Sequence, residues 1–147
     1  MAALSLARLG AVVPFQPRGW RMVDVIRQED FPRLPRILLL EDDEQVRVLM
    51  EHVLESGGYD VDPVATVAGA RALLRDRDYD LLLADGILPD GTGFMVAEDA
   101  ERRGIQAIIV TAYAERFAKK DLARFGLLIK PVRPDELLSA VDGALGR

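Results

Sequence analysis

The chain has 147 residues, of which 50% are hydrophobic and 29% are charged, and its formal net charge is -5. This length and composition are typical of one globular domain with a core of its own. Because there is no cysteine, disulfide bonds and thiolate metal sites are excluded, and a metal ion would need oxygen ligands or the lone histidine. No apolar run approaches the roughly 20 residues that a membrane-spanning helix requires, so we expect a soluble, cytoplasmic protein.

Charge is distributed unevenly along the chain. Residues 1–35 carry five arginines and three acidic residues, whereas the remaining residues carry 14 basic and 21 acidic side chains. A nucleic-acid-binding surface needs clustered Lys and Arg on one face. The acidic body of the chain therefore argues against direct DNA binding.

The first 35 residues differ in pattern from the rest. Prolines and glycine interrupt a weak apolar stripe, and Arg8 within this stripe argues against a secretory signal. A mis-assigned start ahead of Met22 and a real, partly flexible extension that docks on the domain or on a partner both remain open. We divide the chain into an N-terminal extension, residues 1–35, and a domain, residues 36–147.

From residue 36 onward, short apolar strands alternate with amphipathic helices. Ile37 to Leu40 is a first strand, and the helix after it ends at Gly57-Gly58. The inward side chains predicted for this helix follow the spacing i, i+3, i+4, i+7: Val46, Leu49, Met50 and Val53. Residues 59–65 predict a second strand, and Pro63 places it at the edge of the sheet.

The next pair of elements follows the same alternation. Thr66 predicts the N-cap of a second helix, whose inward residues are Ala70, Leu73 and Leu74. Residues 81–84 form a continuous apolar run that fits a strand buried on both faces. A third helix is predicted over residues 93–103.

The last part of the chain completes the pattern. A fourth apolar strand covers residues 105–110 and precedes a short polar helix over residues 114–124. Residues 127–129 predict a fifth strand, and Pro134 opens a last helix. Strands that alternate with helices through short loops imply a doubly wound α/β domain with a parallel sheet and helices on both faces.

Polar residues follow directly after four of these strands. In a parallel sheet such positions share one edge, where open α/β sheets bind their ligands. The residues concerned are Glu41, Asp42, Asp43, Asp85, Thr111 and Lys130. Crowded carboxylates repel unless a cation is present, and an oxygen-only cluster suits Mg²⁺.

This residue set can perform phosphoryl transfer. Asp85 would be the nucleophile toward phosphorus, while Lys130 and Thr111 would contact phosphoryl oxygens. Each residue taken singly also has a structural explanation, such as a helix N-terminus that favours acids or a side chain that caps a turn. Their combination on one sheet edge favours the chemical interpretation.

These motifs resemble the receiver domain of two-component response regulators. The matching segments are Ile37-Leu38-Leu39-Leu40-Glu41-Asp42, Asp85 with Leu88-Pro89-Asp90-Gly91, Thr111-Ala112 and Lys130-Pro131. They extend over residues 36–146. The resemblance implies a flavodoxin-like fold with a five-stranded parallel sheet in the order 2-1-3-4-5.

The resemblance also implies a role for each site residue. Asp85 is the phosphoacceptor, and Glu41 and Asp42 are the acidic pair at a Mg²⁺ ion, to which Ile87 would offer its backbone carbonyl. Thr111 is the switch hydroxyl, and Lys130 is the lysine that contacts the phosphoryl group. Asp43 lies outside this pair and is expected to cap the first helix.

Further expectations come from the same resemblance. The phosphoryl donor would be a phosphohistidine on a sensor histidine kinase or a histidine phosphotransfer protein, and the bond before Pro131 would be cis. Phosphorylation would shift a two-state equilibrium that is read out at the fourth helix, fifth strand and fifth helix. The protein would be a monomer or a phosphorylation-dependent dimer.

One departure from the family pattern concerns the aromatic switch. Receivers usually carry Tyr or Phe three residues before the lysine, where this chain has Leu127. Tyr113, two residues after Thr111, is an alternative aromatic. The chain therefore resembles the receivers that have an aromatic soon after the switch threonine and none on the fifth strand.

Two classes of function are compatible with these observations. We expect a stand-alone receiver in a phosphorelay, a signalling phosphoacceptor and not an enzyme, because no effector segment follows the last predicted helix. A receiver-like interaction module that works without phosphorylation is the alternative. A phosphatase or dehalogenase with an aspartate nucleophile fits less well, since Ile87 stands where those enzymes have a second aspartate.

Overall fold

A parallel sheet of five strands forms the centre of the protein, and the computed structural model describes residues 33–147. The strands are β1 (Arg36–Leu40), β2 (Asp60–Val64), β3 (Leu81–Asp85), β4 (Gln106–Thr111) and β5 (Gly126–Ile129). Their order across the sheet is β2-β1-β3-β4-β5, and every pairing is parallel. The predicted doubly wound fold and strand order are therefore confirmed.

Two of the three interior strands, β1 and β3, are buried on both faces, as their continuous apolar runs predict. Ile37 to Leu40 and Leu81 to Ala84 are almost completely removed from solvent. The register sets Ile37 opposite Leu81 and Leu40 opposite Ala84, so β1 and β3 end at the same level. β2 lies at one edge of the sheet, as Pro63 predicts.

Helices cover both faces of the sheet. They are α1 (Glu44–Ser56), α2 (Val67–Asp76), α3 (Gly93–Arg102), α4 (Lys119–Arg124) and α5 (Pro134–Leu145). One hydrophobic core contains buried residues of α1 and α5, and the other contains buried residues of α2 and α3. None of the helices in residues 33–147 has the length and apolar character needed to cross a membrane.

The buried face of α1 is rotated relative to the prediction. Leu49, predicted to point inward, is 60% exposed, whereas Leu54 is 0% exposed. At about 100° per residue, Leu54 extends the apolar stripe of Val46, Met50 and Val53 on one side, and Leu49 lies at the opposite margin. The spacing predicted the helix, but the packing partners decided which margin is buried.

The predicted fourth helix is split. A 3-10 turn spans Ala114–Arg116, and α4 begins only at Lys119. α4 has no fully buried residue; Phe117, Leu122 and Phe125 are partly buried and pack against the core beside α2 and α3. Phe117 and Ala118, between the two helical pieces, have extended backbone, so the prediction of one continuous helix over residues 114–124 is wrong.

One element of the structure was not predicted, and one prediction is not tested by it. A short antiparallel pair, Ile87–Leu88 with Gly91–Thr92, follows β3. Residues Pro35–Arg147 group into one compact unit. Residues 1–32 of the predicted N-terminal extension lie outside the described part of the chain. The proposed boundary between residues 35 and 36 therefore stays a prediction.

Candidate functional site

The site is assembled at the carboxyl edge of the sheet. Asp85, the last residue of β3, is in register with Val110, and Thr111, the last residue of β4, is in register with Ile129 of β5. Glu41 directly follows β1, and Lys130 directly follows β5. The parallel register therefore brings together residues that are up to 89 positions apart in the sequence.

The acidic residues form a compact cluster. Each of Glu41, Asp42 and Asp85 places one carboxylate oxygen so that the three oxygens lie within 4.8 Å of one another. Glu41 is buried, Asp42 is exposed and Asp85 is intermediate. A carboxylate cluster that is buried on one side and open on the other is suited to bind a hard divalent cation.

Lys130 joins two of these carboxylates. Its Nζ donates a hydrogen bond to Asp85 Oδ2 at 3.2 Å and a second, shorter one to Glu41 Oε1. The lysine and both carboxylates are largely shielded from solvent. The ammonium group therefore balances part of the negative charge that the strand ends bring together.

The pKa values of this pair reflect burial and mutual attraction. Burial raises the pKa of Glu41, and the hydrogen bond and charge of Lys130 oppose that effect without cancelling it. Burial lowers the pKa of Lys130, but the hydrogen bonds and charges of Glu41 and Asp85 outweigh it, so the pKa is raised. Lys130 is therefore the positively charged partner at neutral pH.

Thr111 is completely buried beside the cluster. Its Oγ1 accepts a hydrogen bond from the backbone N–H of Tyr113 at 3.0 Å. This bond occupies the hydroxyl as an acceptor and leaves its proton available for another partner.

The side chains of Asp43 and Arg47 fix the loop after β1, and the sequence predicted only the contact of Asp43. Asp43 Oδ1 accepts a hydrogen bond from the N–H of Val46 at 3.1 Å, which confirms Asp43 as the N-cap of α1. Arg47 was missed: its Nη1 donates to the carbonyl oxygen of Glu41 at 2.9 Å. The two residues are six positions apart, and this spacing does not distinguish the contact from a solvated arginine.

Two further residues hold the loop that follows Asp85, and their contacts were not predicted. Asp90 accepts hydrogen bonds from the N–H groups of Val67 and Ala68, at 2.8 and 3.0 Å, and so ties the loop after β3 to the start of α2. Gly93 donates its N–H to the carbonyl oxygen of Gly86 at 3.1 Å. Glycine residues and Asp in a turn-rich segment indicated a loop but not these partners.

The remaining predicted residues concern the metal ligand and the switch. The Lys130–Pro131 bond is cis, as expected. The N–H of Ile87 lies 3.4 Å from Asp85 Oδ1, and the assignment of its carbonyl to a metal ion stays a prediction. Leu127 is 36% exposed, and Tyr113 is 44% exposed with the guanidinium of Arg116 4.4 Å from its ring centroid.

Comparisons with known proteins agree on the family. The family model described as the response regulator receiver domain matches residues 37–142. The crystal structure of a CheY-like response regulator receiver domain protein from Methanospirillum hungatei is 31% identical, with a TM-score of 0.70, and the match covers 78% of this chain and 95% of that one. The chemotaxis response regulator CheY4 of Vibrio cholerae, 23% identical with a TM-score of 0.69 and a match over 77% of this chain and 100% of that one, supports the fold.

Two curated relatives are regulators of transcription. The phosphate regulon transcriptional regulatory protein PhoB of Rhizobium meliloti is 30% identical over 121 residues, which are 78% of this chain and 53% of PhoB. The transcriptional regulatory protein GltR of Pseudomonas aeruginosa is 31% identical over 118 residues, which are 76% of this chain and 49% of GltR. This chain thus spans about half the length of these relatives, and it belongs to the receiver domain family of two-component response regulators.

Proposed function

We propose that this receiver domain accepts a phosphoryl group on Asp85 and signals through protein–protein contact. The observation that carries the proposal is the contact of Lys130 with both Asp85 and Glu41 at the carboxyl edge of the sheet. A lysine held there can neutralise charge on a phosphoryl group attached to Asp85. The expected donor is a phosphohistidine of a sensor histidine kinase or a histidine phosphotransfer protein.

The transfer makes one bond and breaks one. An oxygen of the Asp85 carboxylate attacks phosphorus, the P–N bond of the phosphohistidine breaks, and the histidine nitrogen keeps the electron pair and takes up a proton. Lys130 pairs with a phosphoryl oxygen, and the hydroxyl of Thr111 donates a hydrogen bond to another after it turns away from Tyr113. The protein is thus a signalling phosphoacceptor, with at most self-catalysed phosphorylation and dephosphorylation.

The acidic cluster fits a magnesium ion. Its donor atoms are carboxylate oxygens, which Mg²⁺ prefers, and the half-open geometry leaves room for water and a phosphoryl oxygen. Glu41, Asp42 and Asp85, with the carbonyl of Ile87, would hold the ion. When bound, Mg²⁺ neutralises negative charge on the carboxylates and the phosphoryl oxygens.

The surface formed by α4, β5 and α5 is the proposed readout face. Leu127 and Ile129 of β5 are 36% and 51% exposed, and α4 buries none of its residues. Large apolar side chains exposed on an edge strand are suited to a protein partner. A downstream protein or, after phosphorylation, a second copy of this domain would bind there.

Intact-mass measurement after incubation with Mg²⁺ and acetyl phosphate tests the phosphoacceptor. We expect the wild-type protein to gain the mass of one phosphoryl group and the Asp85→Asn variant to gain none. Asp76→Asn, which changes an exposed aspartate at the end of α2, is the matched control and should be phosphorylated like the wild type.

Either of two results would contradict the proposal. A phosphoryl group that is still added to the Asp85→Asn variant would show that another residue is the acceptor. A folded, Mg²⁺-bound wild-type protein that gains no mass would favour an interaction module that works without phosphorylation.

A further inference from the structure

Phe117 lies against the residue that follows the phosphoacceptor. A Cβ atom on Gly86 would be 3.0 and 3.1 Å from two atoms of the Phe117 ring and 3.0 Å from Oγ1 of Thr111. The ring and the hydroxyl therefore border the same small space beside the turn after Asp85. Since position 86 is glycine, this space is left for the aromatic side chain.

The same ring is part of the attachment of α4 to the core. Its centroid lies 4.7 Å from that of Phe94 on α3, and Phe94 also contacts Phe125, with centroids 6.2 Å apart. Phe117 precedes α4 by two residues and Phe125 directly follows it. The two aromatic side chains therefore hold the two ends of this short helix, which has no fully buried residue of its own.

The other candidates for an aromatic switch are less well placed. Tyr113 contributes its backbone N–H to Thr111, but the residue is 44% exposed and its ring lies beside the guanidinium of Arg116. Position 127 carries leucine and is partly exposed. Phe117 is the aromatic side chain for which the structure shows contact with both Gly86 and the core under α4.

We propose that Phe117 transmits the state of the site to α4. When the hydroxyl of Thr111 turns toward a phosphoryl group on Asp85, it leaves the space beside Gly86, the Phe117 ring moves into that space, and the start of α4 moves with the ring. The assignment rests on the proposed function for its trigger. Phe117 acts as a positioning residue, because it touches neither the carboxylates nor the phosphoryl group.

Amide NMR spectra with and without Mg²⁺ and beryllofluoride, a phosphoryl mimic, test this relay. In the wild type, we expect shifts at Asp85 to Ile87 and over residues 119–124. In Phe117→Ala, the shifts near Asp85 and the mass gain from acetyl phosphate should persist, while the response of residues 119–124 is lost. Phe125→Ala is the matched control: it also removes a ring from Phe94, but α4 should still respond.

A second arm needs no phosphoryl group. Gly86→Ala places a methyl group in the shared space and should push the Phe117 ring aside, which shifts the α4 resonances of the unmodified protein. Combining Gly86→Ala with Phe117→Ala should remove that shift, because the smaller side chain no longer meets the methyl group. This pairwise dependence distinguishes a relay from a general loss of stability.

The outcomes separate the relay from the phosphoacceptor chemistry. A wild-type protein that binds no beryllofluoride and gains no mass would contradict the proposed function, and the Gly86→Ala arm would still decide whether Phe117 connects the turn to α4. An α4 response that is unchanged in Phe117→Ala, or lost equally in Phe125→Ala, would overturn the relay. Unchanged α4 resonances in Gly86→Ala would overturn it as well.

Discussion

Asp85 and Asp90 are five residues apart, yet they have different roles because their surroundings differ. The side chain of Asp85 is largely shielded from solvent and faces the ammonium group of Lys130, as the proposed phosphoryl group on this carboxylate would require. Asp90 accepts two backbone hydrogen bonds from the first turn of α2. These bonds lower its pKa, because they stabilise the charged carboxylate at the positive end of a helix.

The lowered pKa of Asp90 predicts a pH-dependent contribution to stability. A carboxyl group with a lowered pKa in the folded state stabilises the protein above its unfolded value, about 3.9, and loses this effect as the pH falls through the folded value. Asp90→Asn should therefore lower the free energy of unfolding at pH 7. The difference from the wild type should shrink as the pH is lowered below about 4.

Urea unfolding of both proteins across this pH range measures the difference. Asp76→Asn, at the opposite end of α2, removes a charge from the negative end of the helix and should not destabilise the protein at pH 7. A difference for Asp90→Asn that is independent of pH would contradict the assignment.

At the scale of elements, the start of α3 is packed against the end of β3. A Cβ atom on Gly93 would lie only 2.1 Å from the carbonyl oxygen of Asp85. Only glycine allows this approach, because any side chain would separate the helix from the strand that ends at Asp85. The position of Asp85 therefore depends on the helix that follows it as well as on the sheet.

Two alanine substitutions of glycine should have opposite effects. Gly93→Ala should lower the free energy of unfolding by about 1–3 kcal/mol, because the backbone must shift to relieve the overlap. Gly143→Ala should raise it by about 0.5–1 kcal/mol, because this glycine lies within α5 and its Cβ would meet no atom within 4 Å. Thermal or urea unfolding of both variants measures the difference, and equal effects would contradict the packing argument.

At the scale of the whole molecule, the fold concentrates negative charge at one edge of the sheet. The net charge is -5, and the described residues include three carboxylates whose oxygens lie within 4.8 Å of one another. Lys130 provides one positive charge against them. A bound divalent cation should therefore stabilise the folded state, because the unfolded chain does not hold these groups together.

Magnesium should raise the melting temperature through this cluster. At a concentration of 100 times Kd, the stabilisation is about 2.7 kcal/mol, or roughly 10 °C for a domain of this size. Asp42→Asn should remove most of the shift. Asp43→Asn is the matched control, because Asn also caps helices and residue 43 lies outside the cluster; loss of the shift in this variant would contradict the site.

Local pattern was sufficient for most of the fold and for the chemical identity of the site. Ile37 to Leu40 and Leu81 to Ala84 were predictable as interior strands, since a short uninterrupted apolar run that ends at polar or turn-forming residues is typical of a strand buried on both faces. The convergence of Glu41, Asp85, Thr111 and Lys130 was also predictable, because parallel strands end at one edge. The amino-acid sequence by itself therefore determined the parallel sheet and the residues at its carboxyl edge. The order of the strands followed from the resemblance to the family.

Contacts between elements were decided only by the tertiary structure. Phe117 at Gly86, Asp90 at the start of α2 and the burial of Leu54 in place of Leu49 each depend on partners in another element. Periodicity indicates which face of a helix is apolar, and turn residues indicate where a loop lies. Neither indicates which of several side chains fills a gap between two elements, because that choice depends on the distances and shapes that arise when the elements pack.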